Sequence, residues 1–299
     1  MYKRSKERKK ENENLTSKNK EIRNQNLKIE EQKNSIEKKN KGITDSINYA
    51  QKIQKAMLPK TSSLEDFLEK SFIFFKPRDI VSGDFYWFSD AQKEKENNNK
   101  NSKFLISAVD CTGHGVPGAF MSMIGLNLLN QIVAKKIFEP DKILKELHEG
   151  VKTSLQQNRT NNRDGMDMSL CLVDKEKKTL IFSGAKNPLV YIQDEKIYRI
   201  RGDKFAIGGF QKEKDRIFKK HIINIEKETT FYIFSDGFPD QIGGEKRRKF
   251  LIKRFLELLL KIHKKDMDEQ KEILNNVLKK WMRDKYRQVD DILVIGFKI

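Results

Sequence analysis

Long apolar runs are missing from this sequence of 299 residues. No stretch of 18 or more consecutive apolar residues occurs, so the sequence predicts no transmembrane span. The first ten residues, MYKRSKERKK, have no apolar segment behind their charges, so no secretory signal is expected. Only two cysteines are present, and Cys111 and Cys171 each lie in or beside an apolar run. This usage suggests no disulfide framework and favours a reducing, cytoplasmic location.

Motifs for nucleotide, zinc and cysteine chemistry are also missing. Neither GxxxxGK[ST] nor GxGxxG occurs, so nucleotide binding has no motif support. Neither HxxxH nor CxxC spacing, which would suggest a zinc site, occurs. The four histidines, His114, His148, His221 and His263, lie in unrelated parts of the sequence. Cys111 as a nucleophile would need a phosphate cradle closed by an arginine six residues later, and Pro117 stands there. These absences argue against three common kinds of site.

Positive charge is in excess, with a formal net charge of +18. Such an excess can indicate a nucleic-acid or anionic-membrane partner. The lysines are scattered, however, and aromatic residues do not interleave with the basic clusters as a stacking nucleic-acid surface would require. We therefore interpret the charge as a property of a lysine-rich composition and expect no specific nucleic-acid partner.

Composition divides the chain into two predicted domains, residues 1–60 and 61–299. In the first, an apolar residue recurs at every seventh position: Leu15, Ile22, Ile29, Ile36 and Ile43. This spacing keeps one stripe of a helix facing a partner helix. We predict a long helix that Pro59 ends, forming a weak parallel coiled coil and hence a homodimer. A solvated single helix or a partly disordered tail is the alternative.

The second domain has the pattern of a globular fold with grouped strands. Aromatic and β-branched runs predict strands such as SFIFFKP, DFYWFSD, FLISAV, DMSLCLVD, TLIFSGA, PLVYIQD, KIYRI, IFKKHIINI, TTFYIFSD and DILVIGFKI. Helices are predicted near 117–136, 141–157, 246–262 and 266–284, and residues 93–103 form a predicted polar hairpin loop. Because the strands do not alternate one for one with helices, the predicted class is α+β with antiparallel sheets.

Four aspartates share one kind of position, a strand end or edge beside a small residue: Asp84, Asp110, Asp236 and Asp290. Any one of them alone fits a helix cap or a turn. If all four converge, their mutual repulsion requires a cation, because an uncompensated buried carboxylate is costly. Carboxylate oxygens select hard divalent ions such as Mg²⁺ or Mn²⁺. Two such ions about 4 Å apart can activate water for attack on phosphorus.

The segment DCTGHGVPGAFMS, with KPRDIVSGDFYWF before it and FSDGFPDQ and VDDILVIGF after it, resembles the PPM family of metal-dependent Ser/Thr protein phosphatases. The resemblance is to the bacterial branch named after the sporulation protein SpoIIE, and it covers about residues 50–299. It implies an antiparallel β-sandwich flanked by helices, with two Mn²⁺ or Mg²⁺ ions in its cleft. It also implies that the helix ending in QKAMLP can couple an upstream signal to the catalytic site.

The resemblance carries a ligand set onto this sequence. Asp84 and Asp110 are expected to bind the metals, one of them bridging, and the backbone carbonyl of Cys111 is expected to contribute. Asp236 matches the aspartate of the family's SDG, and Asp290 matches the first aspartate of its terminal DD. Asp291 is then expected to support the site or to act as a capping residue.

Four further residues have alternative interpretations. His114 could act as a general acid or could brace the turn, and Arg78 or Lys76 could bind phosphate or be surface charges. Asp167 could serve a third metal, although a polar residue at a strand start is the preferred interpretation.

The predicted function is therefore dephosphorylation of phosphoserine or phosphothreonine in a signalling protein, such as an anti-sigma-factor antagonist. The alternatives are a catalytically inactive scaffold with the same fold and a nucleic-acid-binding protein. Retention of all four aspartates argues against the inactive scaffold.

Overall fold

The computed structural model describes residues 2–91, 102–210 and 215–299. Most of the predicted hairpin loop at 93–103 lies outside the described residues. Contacts divide the chain into two compact units, 1–50 and 51–299, so the division falls before the boundary at residue 60 that composition indicates.

The first unit consists of helix. It contains most of α1, which runs from Tyr2 to Met57. All five residues of the seven-residue repeat are more than half exposed in the single chain: Leu15, Ile22, Ile29, Ile36 and Ile43. The predicted coiled coil and homodimer stay predictions, with this uncovered stripe as their basis.

The second unit contains two large antiparallel sheets, a two-stranded sheet and six further α-helices in the described residues. The helices are α2 (Ser62–Glu65), α3 (Gly115–Ala134), α4 (Pro140–Ser154), α5 (Gly237–Asp240), α6 (Ile252–Ile262) and α7 (Met267–Met282). The strands are β1 (Ser71–Lys76), β2 (Phe85–Asp90), β3 (Lys103–Cys111), β4 (Gly165–Asp174), β5 (Thr179–Ala185), β6 (Leu189–Gln193), β7 (Lys196–Ile200), β8 (Ile207–Gly208), β9 (His221–Asn224), β10 (Thr230–Phe234), β11 (Ile242–Gly243), β12 (Arg248–Lys249) and β13 (Ile292–Lys298).

One sheet has the strand order β1-β13-β10-β6-β7, and the other has the order β2-β3-β4-β5-β9 with β8 paired to β4. Phe231 and Ile233 of β10 face a core shared with Phe104 and Ile106 of the other sheet. The alternate residue Tyr232 faces a second core with α6 and α7. Both faces of β10 are therefore buried, which is why TTFYIF has an apolar run rather than strict alternation.

The second sheet is covered on its outer face by two helices. Leu105 and Val109 of β3 pack in one cluster with Leu129 of α3 and Leu147 of α4. The layers are therefore helix, sheet, sheet and helix. This arrangement confirms the predicted α+β class and the antiparallel sandwich flanked by helices.

Two helix starts differ from the predicted ones by two residues or more. The helix predicted from 246 begins at Ile252, because Arg248–Lys249 pairs with Ile242–Gly243 as a two-stranded hairpin first. The helix predicted from 117 begins at Gly115, so Pro117 lies in its first turn, where its missing N–H costs no helical hydrogen bond.

Helix α3 is long and apolar enough, by length and composition, to cross a membrane, and no other described helix is. Its apolar face, including Leu126 and Leu129, is buried against the second sheet. Its composition is thus accounted for by a place in the protein core.

A buried hydrogen-bond chain connects β10 to the α6–α7 junction. The Tyr232 hydroxyl donates to Gln270 Oε1 at 2.6 Å, and Gln270 Nε2 donates to the carbonyls of His263 (3.1 Å) and Lys265 (2.8 Å). Tyr232 and Gln270 are both fully buried. These hydrogen bonds hold α7 in place over the outer face of this sheet.

We expect Tyr232→Phe to lower the free energy of unfolding by about 1–3 kcal/mol, because Gln270 Oε1 loses its donor inside the core. The matched control is Tyr198→Phe, which removes a hydroxyl from a residue that is 42% exposed. Urea unfolding of the three proteins measures the difference. Equal midpoints for both variants would contradict a structural role for this hydrogen bond.

Candidate metal centre and adjacent cavity

Strand register brings three of the acidic residues to one end of the second sheet. Phe85 pairs with Val109, so Asp84, one residue earlier, falls opposite Asp110 at the end of β3. On the other side of β3, Asp110 pairs directly with Asp167 of β4. Pairing of antiparallel strands thus places three carboxylates side by side. Like charges on directly opposite residues destabilise a strand pair.

The first sheet contributes the other two predicted ligands. Phe234 of β10 pairs with Val294 of β13, and the Ser235 N–H donates to the Leu293 carbonyl at 3.0 Å. Asp236 follows the end of β10, and Asp290 precedes the start of β13. Both residues therefore leave the sheet at the same end. Because β10 and β13 run antiparallel, a residue just after the end of β10 lies near a residue just before the start of β13.

The carboxylates interact strongly with one another. Burial raises the pKa of Asp84 well above its usual range, and the nearby Asp110 raises it further. Burial and then Asp236 do the same for the pKa of Asp110. Burial raises the pKa of Asp236 to about 6, with the carboxylates of Asp240 and Asp290 adding to the effect. Burial also raises the pKa of Asp290. All four acids can be ionised together near neutral pH only if a positive charge lies among them.

The residues present fit a divalent metal. Asp84 is only 3% exposed, and its Oδ2 has no hydrogen-bond partner among the described residues. No three His, Cys, Asp or Glu side chains in the described ranges already form a metal-ligand group. An orphaned carboxylate oxygen beside other carboxylates is a donor set suited to Mg²⁺ or Mn²⁺.

The second aspartate of the DD pair has a different role. Asp291 Oδ1 accepts the Arg78 N–H at 2.7 Å, and Asp291 Oδ2 accepts the Gly83 N–H at 2.8 Å. Both oxygens therefore bind backbone amides and fix the loop that leads to Asp84. Asp290 remains the member of the pair that lines the cavity.

A close backbone contact brings the Asp84 loop against the turn after Asp110. A Cβ atom on Gly83 would lie 2.4 Å from the Gly113 carbonyl oxygen, and one on Gly118 would lie 2.3 Å from the same atom. Glycine is required at both positions because the other atoms are backbone and cannot move aside. The Cys111 carbonyl oxygen also lies beside Gly83, 3.4 Å from where its Cβ would be. This proximity places the predicted carbonyl ligand next to Asp84.

A cavity of about 520 Å³ opens beside these groups. Its acidic side contains Asp110, Asp236, Asp290 and Asp167. Its basic side contains Arg163, Lys186 and Lys204, with the buried Arg216 behind them, and Phe205 and Phe210 are also among its lining residues. Lys186 Nζ lies 3.1 Å from Asp167 Oδ1, so the acidic residue considered for a third metal is ion-paired with a lysine.

His114 and Arg78 occupy different places relative to the cavity. His114 lines it, and the His114 Nδ1 lies 2.9 Å from Asp79 Oδ2. The Arg78 guanidinium donates to the Val289 carbonyl at 2.9 Å. Neither Arg78 nor Lys76 is among the described residues that line the cavity. The basic residues that do line it were missed by sequence reasoning, because nothing distinguishes them from the other lysines and arginines of this chain.

Comparison with known proteins agrees with this geometry. The family profile described as "Stage II sporulation protein E (SpoIIE)" matches residues 100–299. The SiaA-PP2C domain of Pseudomonas aeruginosa is 34% identical, with a TM-score of 0.75, and the match covers 87% of this chain and 98% of that one.

Two more distant structures share the fold. The PP2C phosphatase domain of SpoIIE from Bacillus subtilis, solved with a fragment of its regulatory domain, is 17% identical with a TM-score of 0.59, covering 77% of this chain and 63% of that one. The RsbU and RsbW domains of Rv1364c from Mycobacterium tuberculosis are 14% identical with a TM-score of 0.55, covering 78% and 61%. A comparison with curated protein sequences finds no match.

The matched profile covers about two thirds of the chain, and the relative from Pseudomonas aeruginosa is aligned over nearly its whole length. These matches include the segments that hold Asp110, Asp236 and Asp290. They confirm the resemblance found in the sequence. The chain belongs to the SpoIIE-type family of PP2C phosphatase domains.

Proposed function

We propose that this protein is a metal-dependent phosphoserine or phosphothreonine protein phosphatase of bacterial signalling that works in the cytoplasm. The observation that carries the proposal is the meeting of Asp84, Asp110, Asp236 and Asp290 at one end of the two sheets, beside an open cavity. Family membership supports phosphatase chemistry, and the charge pattern supports the metal requirement. An inactive scaffold would have no use for carboxylates that repel one another at a cost to folding.

In this proposal, Asp84, Asp110, Asp236, Asp290 and the Cys111 carbonyl would hold two Mn²⁺ or Mg²⁺ ions. When bound, such ions supply Lewis-acid activation of water and charge neutralisation at the phosphoryl group. The chain positions the donors by backbone constraints: Asp291 fixes the loop before Asp84, and the Gly83–Gly113 contact fixes the turn after Asp110. Donors held in this way need little rearrangement on binding.

His114 is the candidate proton donor to the leaving group. It lines the cavity, and Asp79 orients its ring through Nδ1. The proton donor in this proposal is the imidazolium form of His114, which would donate Nδ1–H to Asp79 and transfer the Nε2 proton to the leaving-group oxygen. A carboxylate hydrogen-bonded to one ring nitrogen fixes the tautomer and the orientation of a histidine. Arg78 supports the site through the Val289 carbonyl rather than from the cavity wall.

The end of α1 gives a route for regulation. Gln54 is buried, its Nε2 donates to the Ser82 carbonyl at 2.6 Å, and its Oε1 accepts the Ser82 N–H at 3.1 Å. Ser82 is two residues before Asp84. We propose that the homodimer formed through the N-terminal helix sets the position of Gln54 and thereby the order of the metal site. The substrate is a phosphorylated protein, for which an anti-sigma-factor antagonist is the candidate.

Removal of one metal donor tests the proposed chemistry. Asp236→Asn is expected to lower Mn²⁺-dependent hydrolysis of p-nitrophenyl phosphate by more than about 100-fold, because a neutral amide is a poorer metal ligand than a carboxylate. The matched control is Asp194→Asn, at a surface residue paired with Lys227. Activity that survives both Asp236→Asn and excess EDTA would rule out the two-metal reaction.

Stability of the metal-free protein should fall as pH rises through the titration of Asp236. Its pKa is about 6 in the folded protein against 3.8 for an unperturbed aspartate. The folded state therefore binds more protons than the unfolded chain between about pH 4 and pH 6, so the free energy of unfolding decreases across that window. In EDTA, Asp236→Asn should gain stability relative to the wild type as pH rises.

Urea unfolding at pH 4, 5, 6 and 7 measures this difference, and Mn²⁺ should restore stability to the wild type more than to the variant. Parallel pH profiles for the two proteins in EDTA would show that Asp236 carries no raised pKa.

Deletion of residues 1–41 tests the regulatory role of the N-terminal helix. The full chain is expected to have the mass of a dimer in light-scattering measurements, and the shortened chain that of a monomer with altered turnover. Gln54→Ala in the full chain should alter turnover without changing the mass. An unchanged monomer mass together with unchanged turnover would contradict coupling through this helix.

A further inference from the structure

The basic side of the cavity contains two cations, Arg163 and Lys204, that are not ion-paired with any acidic residue in the described ranges. Lys186 is ion-paired with Asp167, and Arg216 is buried behind the wall. Arg163 and Lys204, in contrast, are exposed, and neither forms an ion pair with an acidic residue in the part of the chain that the structure describes. They belong to different loops that meet at this cavity. The wall therefore presents two cations to whatever enters.

The loop of Arg163 is held rigidly beside the candidate metal centre. The Gln157 Nε2 donates to the Asp164 carbonyl at 2.6 Å, and the Asp164 N–H donates to Asn162 Oδ1 at 2.9 Å. Thr112, in the turn after Asp110, donates through Oγ1 to Asp164 Oδ1 at 3.1 Å. These hydrogen bonds fix the backbone on either side of Arg163 and connect it to the turn that holds the predicted ligands. A charge on such a loop can bind a partner with little loss of conformational entropy.

The facing loop, residues 204–210, is fixed from behind. The Arg216 guanidinium donates to three of its carbonyls, those of Ala206 (2.6 Å), Gly208 and Phe210. The Gly209 N–H donates to the Asp164 carbonyl at 3.0 Å, which joins this loop to that of Arg163. Lys204 and Phe210 are thereby kept at the cavity edge.

An aromatic ring completes this wall. The Arg163 guanidinium carbon lies 5.1 Å from the centre of the Phe210 ring, within the range of a cation–π contact. The Phe210 side chain is 57% exposed although it is large and apolar. A ring in this place orients the guanidinium and offers apolar surface to a bound chain.

We infer that Arg163 and Lys204, together with Phe210, form a specificity site that binds acidic side chains next to the phosphorylated residue of a protein substrate. This inference rests on the proposed function. In the proposed function, the carboxylates on the opposite wall would bind metal ions. Arg163 and Lys204 are then the charged groups available to bind the parts of a substrate other than its phosphoryl group. Arginine is suited to this task because its planar guanidinium can bind a carboxylate through two hydrogen bonds.

The test compares two phosphoserine peptides of equal length that differ only in their flanking residues, aspartate and glutamate in one and lysine in the other. We expect the wild type, with Mn²⁺, to have a kcat/KM about tenfold or more higher for the acidic peptide, a difference worth about 1.4 kcal/mol. The difference should lie mainly in KM and should shrink as salt screens the exposed charges.

Charge reversal should move this preference. Arg163→Glu is expected to lower the ratio of the two kcat/KM values at least tenfold, and Arg163→Glu with Lys204→Glu should favour the lysine peptide. Arg163→Gln should give an intermediate ratio and keeps the inference testable if the reversal disturbs folding. Arg159→Glu is the matched control, since Arg159 is an exposed arginine of the same connecting segment that does not line the cavity.

Two results would overturn the inference. One is equal efficiency of the wild type on both peptides. The other is an equal loss on both peptides in Arg163→Glu, which would mean that Arg163 contacts the phosphoryl group itself. Absence of Mn²⁺-dependent hydrolysis of both peptides and of p-nitrophenyl phosphate is a different result, which would refute the proposed function and this inference with it.

Discussion

Repulsion among the buried and half-buried carboxylates at one end of the sandwich is the constraint on which the rest of the second unit depends. Asp84, just before β2, lies opposite Asp110 of β3, and neighbouring carboxylates raise the pKa of both residues. A fold dominated by burial of apolar side chains would not place acids there unless something compensated them. The surrounding backbone therefore has to hold these groups in place against an unfavourable electrostatic interaction.

That task falls to short-range contacts between main-chain segments. Asp291 binds the amides of Arg78 and Gly83, and Gly83 and Gly118 approach the Gly113 carbonyl too closely for any side chain. These contacts join loops that are far apart in sequence. Because each depends on backbone atoms or on a residue without Cβ, the site tolerates little variation in the motifs that surround it. Rigidity of the loops is thus the condition under which the acids can stay together.

Much of this arrangement could be predicted from sequence. Asp84, Asp110, Asp236 and Asp290 were identifiable because each lies beside a strand-like run and a small residue. The α+β class with antiparallel sheets followed from grouped strands, and the sandwich followed from the resemblance to the PPM family. The hairpin at Ile242–Gly243 and Arg248–Lys249 was not predictable, since two-residue strands carry no periodic pattern. Nor was the basic wall, because Arg163 and Lys204 gain significance only when two distant loops meet. In a chain with 61 lysines and arginines, position in space rather than residue type marks them.

The side chain of Cys111 has a consequence for the chemistry open to this protein. The thiol is buried, and burial together with the carboxylates of Asp110 and Asp84 raises its pKa well above the usual range. Thiolate, the form attacked by peroxide and alkylating agents, is therefore suppressed at the very residue that follows a proposed metal ligand. Cys111 is therefore poorly suited to oxidation or alkylation, although it lies beside the candidate metal centre.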